Sequence, residues 1–230
     1  MKFVQIIDYK TGRPEGMNAL MDKWVEQTKG KRTATHSLIG KDRSDASHFV
    51  EIVEFPSHEE AVKNSRLPET DRIFQEMVAL CDGMPSFTDL DVVRDEQLNT
   101  ATARRFFHEI AVGGNLQAID EVFAADYRDH DVIKEEETVV GSDVMRQDVT
   151  SWRAAFDFTF DLESQIAEGD DVVTRWTWTG THKGAFMDVQ PSGKVCTMTG
   201  ITTFRFRDGK IQEGWWHYDV LGLMRQLGAL

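Results

Sequence analysis

The stretch Gly209–Gly228, GKIQEGWWHYDVLGLMRQLG, changes hydrophobic period in mid-course, and that change restricts the fold more than any other segment. Asp208-Gly209 is a tight-turn signal between two strand-like runs. From Ile211 the chain alternates as a strand. One parity carries Ile211, Glu213, Trp215, His217 and Asp219, and the other Gln212, Gly214, Trp216 and Tyr218. Side chains of a strand alternate between its faces, so Glu213, His217 and Asp219 are expected on one side with Trp215. Two acids and an imidazole beside an indole are costly to bury unless paired or used, which marks that face as a candidate site. After Asp219 the spacing of Leu221, Met224, Leu227 and Leu230 predicts a short helix.

The segments upstream have two patterns. Phe3–Tyr9, Thr33–Gly40, His48–Phe55 and Phe87–Val93 read as strands. Pro14-Glu15 opens a helix with Met17, Leu20, Met21 and Trp24 on one stripe, and Gly30 is its stop. Ser57 and Glu60 form a capping box for a helical region that is interrupted near Leu67-Pro68 and resumes to Leu80. The order strand, helix, strand, strand, helix, strand is the ferredoxin-like pattern. The polar run Arg94-Asp95-Glu96-Gln97 follows, so domains are expected at 1–95 and 97–230. From Asn99 come a helix carrying Phe106, Phe107 and Ile110, a short helix over Leu116–Phe123, and a strand or loop over Tyr127–Val132. Ser142 is a candidate cap for a third helix with Val144, Met145, Val149 and Trp152 on its apolar side. Strands are expected at Phe156–Ala167, Asp171–His182, Lys194–Arg207 and Lys210–Asp219.

The motif G-K-I-x-E-x-W, then an aspartate and L-G-L-x-x-Q-L-G, resembles the C-terminal signature of the SnoaL-like polyketide cyclases. The run RWTWTGTHKGAFMDVQPSGKVCTMTGITTFRFRDGKI fits the same family. The resemblance covers about Gln97–Leu230. It implies the nuclear transport factor 2-like cone, in which helices lie on a curved antiparallel sheet around one deep apolar pocket. The N-terminal half, with FVEIVEFPSHEEA at its centre, resembles the dimeric α+β-barrel proteins, which include antibiotic biosynthesis monooxygenases. The fold class expected is therefore α+β throughout, a ferredoxin-like barrel domain followed by a cone.

Family resemblance makes Asp219 the acid/base of an intramolecular aldol closure, against the alternative of a strand-end aspartate capping the last helix. His217 would hold Asp219 or donate to a substrate oxygen, or else be a core histidine. Arg175 would pair with Glu213 or Asp219 across the sheet, or hold a substrate carbonyl. His130 stands where the superfamily often places a pocket-facing histidine. Trp152, Phe186, Met187 and Ile201 are candidate pocket wall, with Glu213 and Trp215 beside them, and Phe186-Met187 lie in the loop that borders the pocket mouth in the family. Trp176 and Trp178 are expected to pack against a neighbouring domain or subunit. His130, His182 and His217 are too scattered for a metal site. In the N-terminal half Trp24, His36, His48 and Asn64 are suggestive but form no motif.

A net charge of −13 argues against a nucleic-acid or anionic-membrane partner. No apolar run is long enough to span a bilayer. There is no phosphate-binding glycine loop, no G-x-S-x-G and no C-x-x-C. Cys81 and Cys196 fall in different halves, so a reducing cytoplasm is expected. The leading reading is a cofactor-independent cyclase acting on an aromatic polyketide-like molecule, with no metal and with a homodimer as the assembly. Open alternatives are a non-catalytic protein that binds hydrophobic small molecules or dimerises, and a cofactor-free monooxygenase working through the N-terminal barrel.

Overall fold

The computed structural model describes residues 1–95, 97–134 and 139–229. The chain divides into two compact units, Met1–Asp95 and Glu96–Leu230.

The first unit runs β1 (Phe3–Lys10), α1 (Pro14–Gln27), β2 (His36–Lys41), β3 (His48–Phe55), α2 (His58–Ser65), α3 (Pro68–Leu80) and β4 (Ser86–Asp91). Its sheet has the order β2-β3-β1-β4, and its strand pairs are antiparallel. Ser57 caps α2 by accepting from the Glu60 N–H, as the capping box requires. Pro68 starts a new helix because its missing N–H costs nothing in a first turn. Phe3, Tyr9, Val53 and Phe55 are buried on one face with Met17, Leu20, Ile73 and Met77 of the helices. On the other parity, Val4, Ile6, Val50 and Ile52 are only half-buried and Leu38 is exposed.

The second unit continues with α4 (Leu98–Arg105), a π-helical turn (Phe106–Val112), a 3-10 turn (Leu116–Ala118), α5 (Ile119–Val122), β5 (Phe123–Asp131) and β6 (Val139–Val140). Then follow α6 (Asp143–Ala155), β7 (Phe156–Glu168), β8 (Asp171–His182), β9 (Val195–Arg207), β10 (Lys210–Tyr218) and α7 (Val220–Leu227). The six strands are ordered β6-β5-β10-β9-β8-β7, with β5 and β10 parallel. Ala103, Phe106, Phe107, Ile110 and Met145 of the helical segments pack on Phe156, Trp176, Trp178, Phe204 and Trp216 of the sheet. Two glycines make room for the indoles. A Cβ on Gly200 would lie 2.4 Å from the Trp176 ring, and one on Gly180 would lie 2.5 Å from the Trp178 ring.

Several expectations need correction. Trp176 and Trp178 are 2% and 1% exposed and belong to this unit's own core, so they cannot supply a subunit interface. Arg175, Thr177 and Thr179 take the outer parity, where Arg175 pairs with Glu163 at 2.8 Å and not with Glu213 or Asp219. The helix expected over Leu116–Phe123 ends at Val122, and Phe123 already begins β5. Ser142 precedes α6 without capping it; its hydroxyl lies 3.4 Å from Asp120 Oδ1. Leu230 lies outside the described residues.

The largest correction concerns β10. Its pairing shifts by a β-bulge between Ile211 and Glu213. A bulge inserts one extra residue and reverses the side-chain phase beyond it. Ile211 is therefore buried together with Gly214 and Trp216, while Trp215, His217 and Asp219 continue the outward parity.

Candidate functional site

β10 delivers Trp216 and Tyr218 to the concave face, and neighbouring elements complete a pocket there. Phe106, Trp152, Phe160, Trp176 and Trp178 form most of its wall, and Asp131, Asp148 and Tyr218 supply its polar groups. The cavity is small, about 60 Å³. Burial of the rings is specific. Trp152 lies edge-on to Trp178 at 5.8 Å, and Phe160 stands perpendicular to Trp176 at 5.0 Å. The Trp176 indole N–H donates to Thr202 Oγ1 at 2.8 Å, so its polar atom is satisfied inside the core.

The polar side of the pocket is one hydrogen-bonded network. β5 places Tyr127, Asp129 and Asp131 on its inward parity. Asp129 is 1% exposed and accepts from Tyr127 Oη at 2.8 Å, Trp216 Nε1 at 3.0 Å and Lys134 Nζ at 2.5 Å. A buried carboxylate needs such donors to offset its desolvation. Lys134 also reaches Asp148 on α6 at 2.6 Å. Asp131 accepts from the Tyr218 hydroxyl at 2.7 Å and from the Ile133 N–H at 3.1 Å.

Burial is the main cause of the shifted acidities. It raises Asp148 to about 6 against the opposing pull of Lys134, with Asp129 and Asp131 adding like-charge repulsion. Burial likewise raises Asp131, and it drives the Tyr218 hydroxyl well above the ordinary phenol range. For Lys134 burial acts downward, but hydrogen bonds to Asp129 and Asp148 outweigh it and the net shift is upward. Ligand oxygens of Asp129, Asp131 and Asp148 lie within 4.8 Å of one another, a spacing that suits a shared cation. The Lys134 ammonium already bridges two of them. The geometry offers an acid near neutrality, a second carboxyl and a phenol on one side of an aromatic slot, which is an arrangement for moving a proton.

The expected site residues divide between two faces. Trp152 lines the pocket. Phe186 packs on Trp152 at 4.8 Å and on Phe156 at 5.1 Å, in the loop after β8, while the adjacent Met187 is half exposed. Ile201 is 45% exposed on the outer face. His130, Glu213 and Trp215 do meet, but outside. His130 Nε2 lies 2.8 Å from Glu213 Oε1 and its ring stacks on Trp215 at 5.0 Å. Arg205 lies over the same indole at 5.1 Å. His217 and Asp219 are exposed and absent from the pocket lining. Asp219 Oδ1 accepts the Gly222 N–H at 2.7 Å and caps α7.

Five residues of the network, Asp129, Asp131, Lys134, Asp148 and Tyr218, escape a sequence reading centred on Asp219. Two signals pointed to them. Tyr127, Asp129 and Asp131 alternate on one parity, and Asp148 interrupts the stripe Met145, Val149, Trp152 at helical spacing.

A second cavity lies in the first unit, between its sheet and helices, with a volume of about 310 Å³. Trp24 and Asn64 line it. His36 and His48 instead sit on the opposite parity, against Glu54 at 3.8 Å and between Asp8 and Asp42 at 3.2 and 2.9 Å.

A curved sheet wrapped on helices around an aromatic pocket with a few convergent polar groups defines a cone of the nuclear transport factor 2-like class. The chain belongs to the SnoaL-like polyketide cyclase family, whose model matches residues 101–227. Among solved structures it is similar to TsrD from Streptomyces laurentii, with 28% identity and a TM-score of 0.53 over 60% of this chain and 99% of that one. A protein of Jannaschia sp. CCS1 assigned as a SnoaL-like polyketide cyclase has 25% identity and a TM-score of 0.54 over 61% and 99%. IdmH from Streptomyces antibioticus, assigned as a polyketide cyclase, has 28% identity and a TM-score of 0.51 over 57% and 99%. No curated protein matches the chain. Among the described residues no helix is long and apolar enough to cross a membrane.

Proposed function

We propose that the cone closes a ring on an aromatic polyketide-like small molecule by acid–base aldol chemistry, with Asp148 as the base in place of Asp219. The observation that carries this reading is the pair of burial-raised carboxyls, Asp131 and Asp148, on one side of an aromatic slot. A base whose pKa lies near the working pH combines a useful ionised fraction with real proton affinity. Asp148 removes a proton from the carbon next to a substrate carbonyl. The enolate carbon then attacks a second carbonyl carbon of the same molecule, forming one C–C bond and an alkoxide. The proton held by Asp148 passes to that alkoxide and restores the carboxylate. Atoms and electrons balance without an oxidant or cofactor. Lys134 and Asp129 hold Asp148 and Trp216 in place, and Tyr218 fixes Asp131.

A cavity of about 60 Å³ is too small for a fused-ring substrate. Trp152 is part of the wall and Phe186 packs against it, so a shift of the Phe186 loop would free Trp152 to move aside and admit one. The family resemblance supports the substrate class, and the two free thiols, Cys81 and Cys196, suit a reducing cytoplasm.

For assembly, the half-buried Val4, Ile6, Val50 and Ile52 with exposed Leu38 and Leu90 suit a homodimer formed sheet to sheet, as the resemblance to dimeric barrels implies. The cavity lined by Trp24 and Asn64 favours a second reading in which the first unit binds, or oxygenates, a small molecule.

The test is deuterium exchange. Aryl diketones in deuterium oxide should exchange the proton between their carbonyls faster with protein than without. Phe186→Ala should widen the range of rings accepted. No acceleration with any diketone, in a folded protein, would remove the catalytic reading.

A further inference from the structure

The cavity of the Met1–Asp95 unit has a chemistry of its own. Its volume of about 310 Å³ is at the small end of ligand pockets, which run roughly 300–1,000 Å³. Its body is apolar and aromatic, with Trp24, Phe74, Ile73 and Met77 from the helices. Its floor carries Glu51 of β3, which is only 4% exposed. One oxygen of Glu51 accepts the Ser37 hydroxyl at 2.7 Å, the one side-chain hydrogen bond to this carboxyl among the described residues. Asp71 is an exposed acid of the lining, and no lysine, arginine or histidine lines the space. The guanidinium of Arg32 lies 5.9 Å from the Trp24 ring centroid and donates to the Val25 carbonyl, outside the lining.

A largely buried carboxyl with a single neutral side-chain donor keeps acceptor capacity for a further partner reaching it through the cavity. Burial raises its pKa against the opposing hydrogen bond from Ser37. A cationic ligand would satisfy the free oxygen and restore the charge. Aromatic rings also favour a cation over an anion. An anionic ligand would face two acids with no counter-charge.

We propose that the first unit is a second small-molecule site and that it takes a compact apolar amine, with the ammonium on Glu51 and the hydrocarbon body against Trp24 and Phe74. The site is independent of the cone's chemistry. It gives the chain one compartment that selects by charge and another that moves a proton.

The test uses the full chain and three probes of one shape: phenethylamine, phenethyl alcohol and phenylacetate at neutral pH. The readout is the indole N–H signal of Trp24 in nitrogen-edited proton spectra, assigned with Trp24→Phe. Phenethylamine should move that signal saturably and bind roughly tenfold tighter than the alcohol, a factor typical of one added charge-assisted contact. Phenylacetate should leave the signal in place. Glu51→Gln should bring the amine down to the alcohol's affinity, and Ser37→Ala, which keeps the acid, should retain the preference. Equal binding of phenylacetate, no response of Trp24 to any probe, or a preference that survives Glu51→Gln would overturn the proposal. If Glu51→Gln loses signal dispersion, the ranking of the three probes on the native chain decides.

Discussion

The two cavities differ in opposite respects. The cone's cavity has proton-transfer groups and little space, about 60 Å³. The first unit's cavity has space, about 310 Å³, but a single buried acid among neutral and apolar neighbours. The difference follows from what fills each sheet's inner face. β7 to β10 send in Phe158, Phe160, Trp176, Trp178, Met198 and Trp216, and large rings consume the volume they enclose. The four-stranded sheet sends Gln5, Ile7, Glu51 and Val53 inward, and smaller side chains leave a void below the helices. A dense aromatic core holds carboxylates in fixed positions and desolvates them, which is what shifts their acidity. A looser cavity can hold a ligand but positions one acid less stringently.

This contrast predicts unequal sensitivity. Trp178→Ala should destabilise the cone by about 3–5 kcal/mol, because a fully buried ring is lost from a close-packed site. In calorimetry only one of two transitions should move, and the fragments 1–95 and 97–230 should each unfold cooperatively. A single transition that shifts as a whole would contradict the independence of the units.

The next effect is on pH dependence. Asp148 is near 6 in the folded protein, above its unfolded value, so the folded state binds the proton more tightly. Its contribution is fully present below the unfolded pKa and is lost as pH rises through about 6. Between roughly pH 4 and pH 6 the cone should lose about 2–3 kcal/mol from this group, and Asp148→Asn should flatten that slope in urea melts at stepped pH. A slope unchanged by the substitution would place the shifted acid elsewhere.

The smallest effect separates the cap from the site. Asp219→Ala should cost about 1 kcal/mol through loss of the α7 cap, and Asp219→Asn only a few tenths, since asparagine caps nearly as well. Thermal melts of the two variants give the comparison directly. Equal losses would mean that the carboxylate charge, and not the cap geometry, matters there.

Much of this architecture was legible in the sequence. Strand and helix order could be read because period two and period 3.6 are local properties, and the capping box at Ser57 and the proline at 68 act within one turn. Which face of a strand turns inward is not local. One inserted residue at the Ile211–Glu213 bulge exchanged Trp215, His217 and Asp219 for Trp216 and Tyr218. The carboxylate site was hidden for a related reason. Asp131 and Asp148 are 17 positions apart and meet only through the packing of β5 and α6, where Lys134 ties Asp148 to Asp129. An aspartate in an apolar stripe looks like a break in the pattern until a partner is known.

The most direct test sets Asp148→Asn beside Asp219→Asn in the diketone exchange assay, with folding checked by the same melts. Asp148→Asn is expected to lose ~10²–10⁴-fold in exchange rate, the usual worth of a general base, while Asp219→Asn keeps its rate within about twofold. Loss of exchange in Asp219→Asn with full exchange in Asp148→Asn would contradict the assignment and return the chemistry to the outer face.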